Sequence, residues 1–190
     1  MTQMADFLFE VGMLKKTPRT GYQFLGNGHE NVATHSFRAA VIGYLLAHLT
    51  TGADVDRTAK ICLFHDLAEA RTGDQNYVNK QYVVADEARA MRDAAAKVTC
   101  GSEIEGYLAE FNSGQTLESQ LAYDADQLDL IVELKEKMDL GNRYAATWLF
   151  YARKRLKTKI GKDLHDAIMK TDWTNWWFDK KEHLWVREED

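Results

Sequence analysis

Apolar residues recur at helical spacing along most of this 190-residue chain, which contains a single proline. The best-marked stretch, from Leu117 to Leu140, places its apolar side chains on one face, as a helix packed against a core does. The scarcity of proline and of long polar stretches favours an all-α domain over a sheet protein.

The helical patterns are separated by short glycine-containing or polar segments. A helix that starts at Asp54 or Asp56 is predicted to run into the His65-Asp66 pair. The other predicted helices cover 5–14, 32–49, 83–98, 103–111, 117–140, 144–160 and 162–178. Since the chain has no repeat, low-complexity segment or linker, we expect one domain over 1–190, with a motif-bearing core at about 5–140 and C-terminal helices over 143–178.

Composition excludes several classes of function. A net charge of -5 and a pI near 5.7 argue against a general nucleic-acid binder. Cys62 and Cys100 lack zinc-ribbon or redox spacing and are expected to be reduced core thiols of a cytoplasmic protein. The N-terminus has no basic flank typical of a signal peptide, and no apolar run is long enough to cross a bilayer, so no membrane partner is expected.

The stretch from Leu63 to Asp74 contains candidate metal-binding and proton-transfer residues. His65 and Asp66 stand side by side at the end of an apolar helical run, and Glu69 follows three and four residues later. If the helix continues, the three side chains converge on one space. Imidazole nitrogen and carboxylate oxygen are ligands of hydrolytic divalent cations, and Glu69 is then placed to move a proton.

Two further ligands are predicted from other helices. His35 lies in the first turns of a helix that Asn31 can cap. Asp124 and Asp126 both lie early in the long helix, but residues two apart point in nearly opposite directions, so only one can face inward. Asp126 is the predicted ligand because it lies beside the apolar stripe. A second His-Asp pair at residues 165–166 is a useful contrast, because Met169 stands where the matching glutamate would be.

The ordered set of His35, His65-Asp66 and Asp126 resembles the HD-domain metal-dependent phosphohydrolases. The segments that carry the likeness to the 5'-deoxynucleotidase subfamily are Glu30-Asn31-Val32-Ala33-Thr34-His35-Ser36, Phe64-His65-Asp66-Leu67-Ala68-Glu69, Thr72-Gly73-Asp74 and Asp124-Ala125-Asp126-Gln127-Leu128. The resemblance implies an HD-domain helical bundle that removes phosphate from deoxynucleoside 5'-monophosphates, and commonly a homodimer.

The resemblance also implies a role for each site residue. His35, His65, Asp66 and Asp126 match the metal ligands of that family. Glu69 matches its catalytic carboxylate, Asp74 a second acid of the pocket, and Arg19 the arginine that holds the substrate phosphate. One divalent ion is implied, with manganese, cobalt or magnesium as the typical choices.

Two details refine the expectation. No histidine occurs between Asp66 and Leu164, whereas two-metal members of the superfamily carry extra histidines there, so one ion is expected. Thr20 follows Arg19 where related bacterial nucleotidases can have tryptophan, which leaves the sugar and base preference open.

Alternative functions stay open at this point. The substrate could be another nucleotide phosphate ester, such as a nucleoside triphosphate, an alarmone or a cyclic dinucleotide. The domain could also be a non-catalytic metal-binding module, although such modules commonly lose ligands and this chain keeps His35, His65, Asp66, Asp126 and Glu69.

Overall fold

The computed structural model describes residues 1–178, and the regular structure in that range is helical apart from one isolated bridge between Pro18 and Asn31. The prediction of an all-α fold is confirmed. The α-helices are α1 (Thr2–Val11), α2 (Val32–His48), α3 (Val55–Phe64), α4 (Glu69–Thr72), α5 (Glu87–Ala95), α6 (Gly101–Ser113), α7 (Leu117–Asp139), α8 (Ala145–Arg155) and α9 (Lys159–Lys170). Short 3-10 helices cover Gly12–Lys15, Thr20–Phe24 and Asn79–Gln81.

Helix α7 is the centre of the larger core. It packs against α2, α3, α8 and α9, which surround it. Leu121, Leu128, Ile131 and Leu134 of α7 are each 0% exposed. Burying one such side chain stabilises a fold by about 1.5–3 kcal/mol, so this face fixes the position of α7 and of the polar residues between its leucines.

A smaller core lies beside the first. It joins α1, α5 and α6 through Phe7, Met91, Ile104 and Leu108. Phe64, the last residue of α3, packs against both cores. This packing fixes the position of the backbone at the start of the turn that follows Phe64.

Helices α2 and α3 approach each other closely at Gly43. A Cβ at this position would lie 2.4 Å from Cys62 Sγ, so a larger residue would force the two helices apart. This close packing brings the N-terminal turns of α2 next to the C-terminal end of α3. Two of the predicted metal ligands, His35 and His65, lie at those ends.

Local hydrogen bonds explain where several helices begin. Asn31 caps α2 as the sequence predicted, because its side chain accepts from the backbone of Thr34 and Thr34 returns the bond. The Asp86 side chain caps α5 by accepting a bond from the backbone of Arg89, which starts that helix at Glu87 instead of the predicted residue 83. The helix also ends earlier than predicted, at Ala95.

The predicted helices at 144–160 and 162–178 are wrong in their boundaries. Helix α8 ends at Arg155 and α9 runs from Lys159 to Lys170. Residues 171–178 form turns, in which Asp172 accepts hydrogen bonds from the backbone and hydroxyl of Thr174. Such side-chain contacts compete with helix formation.

Among residues 1–178, no helix combines the length and the apolar character that crossing a bilayer requires.

Candidate metal centre

The structure brings His35, His65 and Asp126 together at one point, and Asp66 lies beside the two imidazole rings. The Nε2 atom of His35 lies 3.4 Å from His65 Nε2, 3.4 Å from Asp66 Oδ2 and 3.2 Å from Asp126 Oδ1. His65 Nε2 lies 3.3 Å from Asp66 Oδ2. Atoms that each bind a shared cation at about 2.0–2.2 Å lie roughly 3 Å or slightly more from one another, so these separations suit a single ion.

Three different segments supply this cluster. His35 belongs to α2 and Asp126 to α7, whereas His65 and Asp66 directly follow the last residue of α3. The expectation that α3 continues as a helix to Glu69 is wrong. Residues 65–68 form a turn held by backbone bonds such as Glu69 N to Asp66 O at 3.0 Å, and Glu69 starts the separate short helix α4.

Hydrogen bonds orient both imidazole rings toward the cluster. His35 Nδ1 lies 2.6 Å from Asp129 Oδ2, and His65 Nδ1 lies 2.7 Å from the carbonyl oxygen of Cys62. Each of these partners is an acceptor, so Nδ1 carries a proton and Nε2 is the nitrogen that faces the cluster and would bind a cation. Partners of this kind fix the tautomer and orientation of metal-binding histidines.

Asp129 is itself held in a network of charges. It is 0% exposed, and its second oxygen accepts a hydrogen bond from Arg38 Nε, while Arg38 also reaches Glu133 at 2.6 Å. Glu30, His35 and Asp129 form a second group of possible ligand atoms. The guanidinium of Arg38, 3.5 Å from Glu30, already supplies the positive charge there, so we assign this group to orienting His35.

The cluster perturbs the acid–base equilibria of its members. Burial lowers the pKa of His35, but hydrogen bonds with Asp126 and Asp129 outweigh it and raise that pKa to about 10. Burial would raise the pKa of Asp126, yet His35, His65 and Arg19 hold it below its usual range. A cation that binds here displaces the proton from His35, so its affinity falls at low pH.

The structure separates the roles of Asp124 and Asp126. Asp124 points to the other side of α7, where it accepts hydrogen bonds from the backbone of Lys157 at 2.7 Å and of Thr158 at 2.8 Å. Asp126 faces His35, and its Oδ2 accepts a bond from Gln127 Nε2 at 2.8 Å. Asp124 therefore holds the start of α9, and Asp126 is the aspartate at the cluster.

Glu69 is the unsatisfied group of the site. It is 9% exposed, and among the described residues its Oε2 is the buried side-chain atom without a hydrogen-bond partner. Burial, with the nearby charges of Asp66 and Asp74, raises its pKa to about 9. A buried carboxyl without a partner is costly unless a ligand, water or ion completes the site, so this observation fits a bound cation and its water.

Arg19 lies at the mouth of the cluster. Backbone bonds on both sides of the bridge at Pro18 tie its loop to the start of α2, including Arg19 N to Glu30 O at 2.9 Å. Its guanidinium lies 3.4 Å from Asp66 Oδ2 and 4.0 Å from Asp126 Oδ1. Burial lowers the pKa of Arg19, but the surrounding carboxylates outweigh it and raise the pKa, so the side chain stays cationic.

Asp74 supports the same loop. Its Oδ2 accepts hydrogen bonds from the backbone of Thr20 at 2.5 Å and from the Thr20 hydroxyl at 3.0 Å. Asp74 and Arg19 also line a cavity of about 440 Å³, together with Leu130 of α7 and residues of α8. A cavity of this size is typical of small-molecule sites.

The second His-Asp pair behaves as an ordinary structural pair. His165 Nδ1 lies 2.8 Å from Asp166 Oδ1, and Arg153 lies 3.3 Å from the same oxygen. Within residues 1–178, neither member joins a group of three possible metal ligands. The lack of a matching glutamate was the correct signal.

Sequence analysis missed three contributors to the site. These are Asp129, Gln127 and the carbonyl of Cys62, which hold His35, Asp126 and His65 in place. Asp129 carried a signal, because it stands three residues after Asp126 on the same helical face. The other two carried none, since a backbone carbonyl and a neighbouring amide have no distinctive pattern.

Comparison with known proteins places this geometry in context. A family model described as HD domain matches residues 11–168. The 5'-deoxynucleotidase HDDC2 of Danio rerio is 28% identical over 150 residues, which cover 74% of this chain and 72% of that protein. The protein of the same name from Homo sapiens is 26% identical over 172 residues, covering 87% and 81%.

Solved structures share the fold. A conserved hypothetical protein from Pyrococcus furiosus superimposes with a TM-score of 0.74 at 29% identity, covering 88% of this chain and 99% of that one. A protein titled as a predicted metal-dependent phosphohydrolase from Magnetospirillum magnetotacticum has a TM-score of 0.69 at 20% identity, covering 88% and 89%. The second likeness is one of fold alone.

Proposed function

The chain belongs to the HD domain family, and from that premise we propose that it is a metal-dependent phosphohydrolase that releases phosphate from deoxynucleoside 5'-monophosphates. One observation carries the proposal: two imidazole nitrogens and the carboxylates of Asp66 and Asp126 converge beside a buried glutamate whose Oε2 has no hydrogen-bond partner within residues 1–178. The relatives named 5'-deoxynucleotidase support the choice of substrate class.

We propose His35, His65, Asp66 and Asp126 as the ligands of one divalent ion. This set of nitrogen and carboxylate donors accepts manganese, cobalt or magnesium. A divalent ion at this point supplies positive charge that neutralises the phosphate and lowers the pKa of water and of nearby carboxyl groups. Asp129 and the Cys62 carbonyl keep the two rings turned toward it.

Arg19 is proposed to bind the substrate phosphate. Its side chain remains cationic, lies within 3.4 Å of Asp66, and lines the cavity, so it stands between the ligand cluster and the space open to a substrate. A guanidinium can donate two parallel hydrogen bonds to a phosphate, which fixes the orientation of the phosphorus atom as well as its charge.

Glu69 is proposed as the group that takes the proton from the attacking water. It is buried beside Asp66, and its free Oε2 leaves an acceptor for that water. Burial, Asp66 and Asp74 raise the pKa of Glu69 to about 9, and a divalent ion bound beside Asp66 would lower it again, so that the carboxylate could accept a proton near neutral pH. Glu69→Gln is expected to keep the metal and to lower kcat by about 100-fold or more.

Asp74 is proposed either to help protonate the departing 5'-oxygen or to order the pocket. Its bonds to the backbone and hydroxyl of Thr20 favour the second role, because they hold the loop that carries Arg19. In either role, Asp74 acts beside Arg19 in the cavity that is proposed to bind the substrate.

The direct test is phosphate release from a panel of deoxy- and ribonucleoside monophosphates, nucleoside triphosphates, an alarmone and a cyclic dinucleotide with manganese. We expect turnover of the deoxynucleoside 5'-monophosphates and its loss in His65→Ala. Preferred turnover of another ester would change the substrate class. No turnover, together with no bound transition metal in the purified protein, would favour the non-catalytic module.

Assembly and location complete the proposal. We propose a cytoplasmic homodimer built from a single domain. Helix α2 and Leu49, which follows its last residue, expose large apolar side chains: Phe37 is 70% exposed, Leu45 51% and Leu49 69%. Exposed apolar patches of this kind mark protein–protein contacts. Light scattering coupled to gel filtration measures the mass, and charged substitutions at Phe37 and Leu45 are expected to yield a monomer.

A further inference from the structure

A cavity leads away from Arg19, and its far wall is aromatic. We propose that this cavity is the nucleobase subsite of the enzyme and that the base lies against the indole ring of Trp148. The inference rests on the proposed hydrolysis of nucleoside monophosphates, and it adds a specificity-determining side chain from α8, outside the segments that carry the ligands.

The geometry of the cavity matches a phosphate ester at one end and a flat ring at the other. Arg19 and Asp74 line the end next to the metal ligands. Leu130 of α7 also lines the cavity. It lies one helical turn after Asp126, a distance of about 5–6 Å along the helix. Trp148 and Tyr151 line the wall that α8 supplies.

The indole side chain of Trp148 is held in position by packing. It is partly buried and packs against the main core. Gly21, two residues after Arg19, lies over the ring, since a Cβ built there would be 3.8 Å from two atoms of the Trp148 indole. The loop that positions the phosphate-binding arginine therefore rests on the same indole that we assign to the base.

Several polar side chains of the cavity already have hydrogen-bond partners, among them Tyr22, which donates to Glu30, and Arg155, which donates to Gln127. Asn76 is 7% exposed, and its oxygen already accepts from the backbone of Val78 and of Asn79, both at 3.0 Å. Its amide nitrogen lies 3.3 Å from the hydroxyl of Thr20. Because every base has a π-face, stacking on Trp148 supplies binding to all of them, and a purine covers more of the indole than a pyrimidine does.

The experiment compares Trp148→Ala with wild type on substrates with and without a base. With dAMP, we expect kcat/KM to fall about 10-fold or more, mostly through KM, and with dCMP to fall less. With 2-deoxyribose 5-phosphate, which has no base, we expect kcat/KM to stay within twofold of wild type. Trp148→Phe is expected to recover most of the loss.

A matched control and a binding readout complete the design. Tyr144 lies at the start of the same helix, is 54% exposed, and contacts Arg143 outside the cavity lining, so Tyr144→Ala is expected to change neither substrate's kinetics. Calorimetric titration of dAMP into Glu69→Gln protein, with and without Trp148→Ala, is expected to show the same 10-fold loss of affinity without turnover.

The outcomes separate this inference from the proposed function. If wild type hydrolyses no monophosphate, the proposed function fails. If wild type is active but Trp148→Ala lowers the rate equally for dAMP and for 2-deoxyribose 5-phosphate, Trp148 acts only through the Arg19 loop and the inference is overturned. An unchanged KM for dAMP overturns it as well.

Discussion

Asp129→Asn tests whether the hydrogen bond behind His35 tunes metal binding. The substitution keeps the size of the side chain and an acceptor oxygen but removes the negative charge that lies 2.6 Å from His35 Nδ1. With Asp129 charged, Nδ1 keeps its proton and Nε2 is a stronger donor toward the cluster. Without that charge, the ring is less basic and its tautomer is less well fixed.

The expected loss of Mn²⁺ affinity follows from the strength of the hydrogen bond between Asp129 and His35. A hydrogen bond to a charged group contributes about 1.5–3 kcal/mol, and since Asp129 is 0% exposed, solvent does not screen it. Each 1.4 kcal/mol is about a factor of ten in a binding constant. We therefore expect the dissociation constant for Mn²⁺ to rise about 10- to 100-fold, the range found for such supporting contacts.

The assay is calorimetric titration of Mn²⁺ into chelator-treated protein at fixed pH. Asp124→Asn is the matched control, because Asp124 lies on the same helix, is also 0% exposed, and binds the start of α9 instead of a metal ligand. We expect Asp124→Asn to lower the thermal midpoint while leaving the affinity of the folded protein for Mn²⁺ unchanged.

Two results would refute the reasoning. Asp129→Asn protein that binds Mn²⁺ as tightly as wild type would show that the carboxylate does not act on His35. Equal weakening by Asp124→Asn would show that any loss of a buried charge on α7 loosens the site.

Three further predictions concern Glu69, Gly161 and Arg19. Burial and nearby carboxylates raise the pKa of Glu69 from 4.5 in the unfolded chain to about 9 in the folded chain. Between these two pH values the folded chain keeps a proton that the unfolded chain releases, so the free energy of unfolding falls as the pH rises from 4.5 to about 9. In chelator, Glu69→Gln should therefore be more stable than wild type by up to about 3 kcal/mol near pH 7, with no difference at pH 4, as measured by urea unfolding; a difference that persists at pH 4 would contradict this. Gly161→Ala should cost about 1–3 kcal/mol in the same assay, because its Cβ would lie 2.3 Å from Asp124 Oδ2, whereas Gly106→Ala, which meets nothing within 4 Å, should not destabilise. Arg19→Ala should lower kcat/KM about 100- to 1,000-fold, with partial recovery in Arg19→Lys, and an unchanged value would remove Arg19 from the phosphate site.

The fold class and the convergence at the cluster could be predicted because both depend on local pattern. Helical periodicity and the cap at Asn31 predicted α2, and the angular spacing of side chains on α7 separated Asp126 from Asp124. Each of these features depends on neighbours within one or two turns. The sequence contains that information directly.

The boundaries that were wrong depend on contacts between distant residues. Helix α8 stops before Lys157 because Asp124, 33 residues earlier, accepts the backbone hydrogen bond of Lys157 and that of Thr158. Local propensity contains nothing about this contact, so the sequence predicted a continuous helix. The turn at His65 depends likewise on the packing of Phe64 against two cores.

The sequence also could not reveal the residues that orient a metal ligand or line the substrate cavity. Asp129 acts through the ring of His35, 94 residues away in the chain, and Trp148 reaches the substrate cavity only because α8 packs on α7. Both roles arise from the packing of helices that are far apart in sequence. A pattern search along the chain treats them as an ordinary surface aspartate and a core tryptophan.

The central claim is that one divalent ion sits between His35, His65, Asp66 and Asp126. An anomalous difference map from crystals grown with Mn²⁺ measures this directly. We predict one strong peak per chain within about 2.3 Å of His35 Nε2, His65 Nε2 and an oxygen of each aspartate. A peak between Glu30 and Asp129, or no peak at the cluster while the protein hydrolyses its substrate, would contradict the account.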